Sequence, residues 1–222
     1  MAVLEGGVAG ALAGVGAETG SPLHVVTKSI PYGVLGIYRT SHRHAIINAQ
    51  AANSRLFEVR NTHASNLLVL VRLTVKWMQL GAHTAAIEDS IDLFRVTSFS
   101  AVDTTNTVTP AVSPMRTTMA PSPGFAIRGV TVAGAAAGMT GGTLTKDTAP
   151  MAQLPQWLLA AQPTAGPVPP NVLDWIPMAA SGDHHPVFAQ NEGFILENRV
   201  LLGAAASSSV YIDAVLAEVT AY

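Results

Sequence analysis

Three observations predict an all-β fold, an antiparallel β-sandwich with an extended N-terminal arm and a long Pro-rich loop. Apolar residues recur with a period of two, and β-branched types are frequent among them. Runs of Gly, Pro, Ser, Thr and Asn separate the apolar segments, as turns require. No heptad, fixed-period repeat or clean linker breaks the 222 residues, so we assign residues 1–22 to the arm and 23–222 to one sandwich domain.

The elements follow in order. The arm, "MAVLEGGVAGALAGVGAETG", has its first charge at Glu5 and lacks the basic start of a secretory signal. Its apolar run is too short and too Gly-rich to span a bilayer. Small side chains dominate it, leaving Val3, Leu4, Val8 and Leu12 as its few anchors. "HVVTKSI" reads as an early strand. In "RLFEVRN", Phe57 and Val59 alternate with Glu58 and Arg60. In "NLLVLVRLTVKW", every second residue from Leu67 to Trp77 is apolar and the alternates turn polar from Arg72. That pattern predicts a strand buried on both faces at its start and on one face later. "SIDLFRVTSF" and "GFAIRGVTVAG" give further strands, and "AIEDSI" and "QWLLAA" suit a helical turn or two. The longest irregular piece, Leu154–Pro177, carries prolines that exclude a central strand. "GFILENRVLL" and "SSVYIDAVLAEV" form two more strands joined by the small-residue turn "GAAASS".

Composition narrows the function. Only 12% of residues are charged, about half the ordinary share, and the surface must present small and apolar groups suited to contact with other proteins. Basic residues are scattered singly along the sequence, so no stripe offers itself to phosphates and nucleic acid is not an expected partner. Cysteine is absent, which removes disulfides and thiolate chemistry.

No stretch reads as a catalytic or metal centre. "GDHHPVFAQNEGF" gathers Asp183, His184 and His185, but adjacent strand side chains point to opposite faces, so it reads as framework between strands. In "SHRH", His42 and His44 share one face and could hold a metal, but no third ligand is identifiable. "GMTGGTLTK" lacks the Lys that a phosphate-binding loop places directly after its glycine. Glu88 and Asp89 lie in what reads as a surface turn. Neither a cofactor nor an enzymatic activity is expected. Trp77 reads as core. Trp157 and Trp175 flank the Pro-rich loop, and either pin it to the sandwich or anchor a partner subunit.

Several signatures then line up: "GGVAGALAGV", "PLHVVTKSIPYGVLGIYR", "LFEVRN…NLLVLVRLTV", "GGTLTKDTAPMAQLP" and "HHPVFAQNEGFILENRVLL…SSVYIDAVLAEV". Their order resembles a group of virion-associated structural proteins of tailed bacteriophages. Tyr32–Arg39 and Pro186–Val219 carry the specific part; the group usually has Trp where Leu216 stands here. The resemblance implies a jelly-roll-like sandwich, no enzymatic activity and no cofactor. It also implies a virion location after synthesis in the host cytoplasm.

The expected function is therefore a capsid decoration or cement protein. Its partners would be other copies of itself, with a trimer favoured, and the major capsid protein or other virion proteins. Neither nucleic acid nor a membrane is an expected partner. Alternatives are a tail, baseplate or head-fibre component, or a receptor- or glycan-binding module using Trp157, Trp175 and the histidines. Val3, Leu4, Val8, Leu12, Trp157 and Trp175 are the expected contact residues.

Overall fold

A computed structural model describes residues 3–5, 12–14, 35–46, 49–83, 85–116, 123–133, 135–160, 170–175, 185–202 and 208–220. The chain divides into two compact units, Met1–Pro31 and Tyr32–Tyr222. In the first, β1 (Val3–Glu5) pairs antiparallel with β2 (Leu12–Gly14). The early strand expected at "HVVTKSI" lies outside the described residues.

The second unit opens with β3 (Gly36–Ile46), β4 (Ser54–Asn61), β5 (Leu67–Gln79) and β6 (Ile87–Ala101). Then come the short β7 (Thr107–Val108) and β8 (Val112–Pro114), followed by β9 (Phe125–Val130) and β10 (Thr143–Lys146). The chain continues through β11 (Ala152–Leu158), β12 (Asn171–Trp175), β13 (Val187–Phe188), β14 (Gly193–Asn198) and β15 (Ser208–Val219). No helix occurs among the described residues.

Two antiparallel sheets pack face to face. One runs β10-β6-β14-β4-β9-β7, with β11 also on β6; the other runs β12-β5-β15-β3-β8, with β13 also on β5. The pairings nest: β3 with β15, β4 with β14, β5 with β12 and β6 with β11. Within this unit the first strand pairs with the last and the second with the last but one, so the unit is a long hairpin rolled into two sheets. That is the jelly-roll topology. Its edges are blunted by short β7, β8 and β12 and by Pro114 and Pro155, which protects them against pairing with another chain.

Two β-bulges set which side chains reach the core. Across from β15, Val215 opposes Arg72 and Leu216 opposes Leu70, so Val71 is the extra residue. The side-chain phase flips there. Leu68 and Leu70 before it and Leu73, Val75 and Trp77 after it therefore all join the core. The burial expected for this strand holds, buried on both faces first and alternating later. In β4 the extra residue is Leu56, and Leu56, Phe57 and Val59 all turn inward. Phe194 bridges Phe57 and Phe188, with ring centres 6.3 and 5.9 Å away. Each such side chain contributes about 1.5–3 kcal/mol by leaving water.

Several sequence expectations change. Ile87–Ile91 of "AIEDSI" and Gln156–Leu158 of "QWLLAA" are strand, lying in β6 and β11. A helix so short is hard to nucleate in isolation, whereas pairing with a neighbour satisfies their backbone at once. The segment 154–177 contributes both β11 and β12. Pro155 is accommodated because β11 is an edge strand. The two strands expected at the C-terminus are β14 and β15, and they lie in opposite sheets.

Candidate interaction surface

The jelly roll brings four connections to one end of the sandwich. Register places the C-terminal ends of β3, β5, β11 and β14 beside the N-terminal ends of β4, β6, β12 and β15. Gln79 locks this end together: its amide donates to the Gly81 and Leu159 carbonyls at 2.7 and 2.9 Å and accepts from Leu159 N at 3.0 Å. Leu202 N donates to the Gln50 carbonyl at 3.0 Å, and Ala45 N to that of Val132 at 3.0 Å.

Five of the six exposed large apolar side chains among the described residues gather at this end: Leu80, Val132, Trp157, Val172 and Leu201. Trp157 is 56% exposed and Leu201 58%. Strand geometry explains Trp157. Leu154, Gln156 and Leu158 of β11 point inward, so Gln153, Pro155 and Trp157 point outward. Only the strand pairing brings these five residues, far apart in sequence, to the same end.

The two loop tryptophans separate. Trp175 is half-buried and packs against the core cluster, as does Leu173, so it pins β12 to the sandwich. Trp157 is the one available to a partner. We expect Trp175→Ala to destabilise the fold by about 2 kcal/mol or more and Trp157→Ala to stay within about 0.5 kcal/mol, read by urea denaturation. Equal costs would contradict this division. Of the other expected contact residues, Val3, Leu4 and Leu12 lie on the β1–β2 hairpin, and Val8 lies outside the described residues.

The described polar candidates make structural contacts. In "GDHHPVFAQNEGF", Asp183 and His184 lie outside the described residues. Val187–Phe188 is β13, and the following turn clamps two strands. Arg60 Nη2 donates to Asn191 Oδ1 at 2.6 Å, Phe99 N donates to the Asn191 carbonyl at 2.7 Å, and Arg95 reaches Glu192 at 3.7 Å. His42 and His44 do share a face, with ring centres 5.8 Å apart, but that face is the sandwich interior rather than solvent. His42 Nε2 meets the Val130 carbonyl at 2.9 Å. Neither His44 nitrogen finds a partner among the described residues, and burial pushes its pKa down to about 3. No group of three or more metal-ligating side chains occurs among the described residues.

The buried carboxylates were not legible in sequence. Asp89 is not in a surface turn but in β6, and it holds the 199–200 loop. Its Oδ1 accepts from Ser90 N, Arg199 N and Val200 N at 2.7, 3.2 and 2.9 Å. Burial still pushes it up to about 6. Glu58, expected on a polar face, is fully buried. Its Oε1 accepts from Asp103 N at 2.8 Å, while Asp103 Oδ1 lies 2.9 Å from Arg55 and accepts from Gly142 N at 2.8 Å. Burial, with Asp103 alongside, pushes Glu58 up to about 7. This cluster fastens two loops to the seven-stranded sheet.

No protein-family model matches the chain, and no curated protein or solved structure matches it either.

Proposed function

We propose that the protein is a non-enzymatic structural subunit of a phage particle, a capsid decoration protein that stabilises the head by bridging neighbouring capsomers. The observation that carries this reading is the apolar end of the sandwich. In a chain so poor in charge, five large apolar side chains exposed at one end of the sandwich make that end suited to contact with a partner. Trp157 is the expected anchor, since Trp dominates binding hot spots. The jelly roll is common among viral capsid domains, but a fold alone does not assign a role. Many symmetric copies turn modest single contacts into firm attachment.

The test is copy number and position on particles carrying the protein, by cryo-electron microscopy. Hundreds of copies in lattice symmetry, loop end toward the shell, are expected. A handful of copies at the tail would replace the reading with a tail or baseplate role. A Trp157→Asp/Leu201→Asp variant should keep its melting temperature and lose attachment about 30-fold or more, the effect of losing a hot spot of about 2 kcal/mol. Undiminished attachment would remove the apolar end from the interface.

A further inference from the structure

The outer face of the six-stranded sheet carries a second surface, built from polar residues. Register fixes its layout. Ser41, Asp213, Thr74 and Asp174 stand abreast on β3, β15, β5 and β12 as a middle row. Arg43, Tyr211, Lys76 and Val172 form the row on one side, and Arg39, Val215 and Arg72 the row on the other. Basic residues scattered singly in sequence thus converge. Four cations (Arg39, Arg43, Arg72, Lys76) face two carboxylates (Asp174, Asp213), a formal +2 on a chain whose total is −2.

The middle row is held in place. Arg72 grips Asp174 through Nε and Nη2 at 2.9 and 2.7 Å, and Thr74 Oγ1 donates to the same carboxylate at 2.9 Å. Ser41 Oγ donates to Asp213, and Arg39 lies 3.6 Å from it. Arg43 rests over the Tyr211 ring, 5.5 Å from its centre. Two open depressions, of about 510 and 200 Å³, meet at Asp213. The larger is rimmed by the apolar Met115, Val172 and Val215.

We propose that this face binds an oligosaccharide carrying isolated acidic groups, laid across β12, β5, β15 and β3. Sugar hydroxyls both donate and accept, and here anchored carboxylates lie between rows that carry the cationic donors Arg43 and Lys76 on one side and Arg39 and Arg72 on the other. The apolar rim suits the C–H faces of pyranose rings. A surplus of positive charge favours carboxylated or sulfated sugars over neutral ones. The two anchored carboxylates disfavour a nucleic acid, whose charges are too closely spaced to avoid them. Arg72, Asp174 and Arg43, already held by their neighbours, lose little freedom on binding, and the larger depression is of the size that small ligands fill.

The experiment is a printed array of uronate-containing, sialylated, sulfated and neutral oligosaccharides probed with the full chain, followed by titration calorimetry on the strongest hit. Binding confined to acidic members and weakened by salt is expected. Arg39→Ala/Lys76→Ala, two exposed positions, should reduce it tenfold or more at unchanged melting temperature. The proposal is overturned if no acidic sugar binds, if binding survives that double substitution, or if single-stranded DNA and dextran sulfate bind in simple proportion to their charge. It is independent of the assembly reading: Trp157→Asp/Leu201→Asp should retain sugar binding, and loss of attachment with sugar binding intact separates the two.

Discussion

Gly193→Ala is expected to abolish the fold. Gly193 opens β14, paired with Arg60 of β4 on one side and Val96 of β6 on the other. A Cβ there would lie well inside contact distance of the Val59 carbonyl oxygen, 2.9 Å from its carbon and 3.2 Å from the Arg60 Cα. All three atoms are backbone in a strand itself flanked by β14 and β9, so neither side can yield without breaking a ladder. A close backbone approach is among the few reasons a strand needs glycine. The cost should exceed about 4 kcal/mol, the range reserved for such mechanisms. Circular dichroism and urea denaturation of the purified variant decide it. A cooperative transition within about 1 kcal/mol of the parent would show that β14 can move.

His44→Leu should stabilise the protein, and increasingly so in acid. A buried imidazole held near 3 stays neutral in the fold, while the unfolded chain takes up a proton below about 6.5. The fold therefore loses stability as pH falls from about 6.5 toward 3, by up to about 1.4 kcal/mol per unit. His42, also lowered by burial, acts in the same direction. Glu58 and Asp89 act oppositely. Raised carboxyls favour the fold when protonated, so the Glu58 contribution is present below about 4.5 and lost as pH rises through about 7. That of Asp89 is present below about 3.8 and lost through about 6. Because these effects partly cancel in the parent, the informative quantity is the difference between variant and parent. At pH 7 that difference should be about 0–1 kcal/mol, since Leu removes two unpartnered nitrogens without leaving another group orphaned. By pH 4.5 it should grow by about 2–3 kcal/mol. Parallel stability curves from pH 7 to 4.5 would mean that His44 is hydrated or protonated in the fold. Glu58→Gln should remove a slope of the opposite sign between pH 4.5 and 7.

The sequence by itself determined the class of the fold. Period-two alternation in Leu67–Trp77 and in the C-terminal "SSVYIDAVLAEV" could only be strand, and the small polar runs between such segments could only be turns. It also determined that "QNEGF" ends one strand and begins another, because turn formers and Gly193 are local signals. His42 and His44 were placed on one face by period alone. Which side of the sheet that face would meet was not local information: β3 is covered inwardly by the opposite sheet, so the histidines are core. The same limit hid Glu58, since a strand with loops packed on its outer face has no solvent side for an alternating carboxylate to occupy. "AIEDSI" and "QWLLAA" fit a helical turn by local preference, and pairing between β6 and β11 overrode it.

Tertiary structure alone decided where the surfaces lie. Leu80, Val132, Trp157, Val172 and Leu201 carry no common signal, and come to one end of the sandwich because a jelly roll brings four of its connections there. Arg39, Arg43, Arg72 and Lys76 looked scattered because sequence distance says nothing about strand neighbours. Nested antiparallel pairing sets β3 beside β15 and β15 beside β5, and the bulge at Val71 turns Arg72 and Lys76 to the same outer face as Arg39 and Arg43. A one-residue shift in that register would have sent them inward. Residue types fix what each strand can bury, but only long-range pairing fixes which side chains meet.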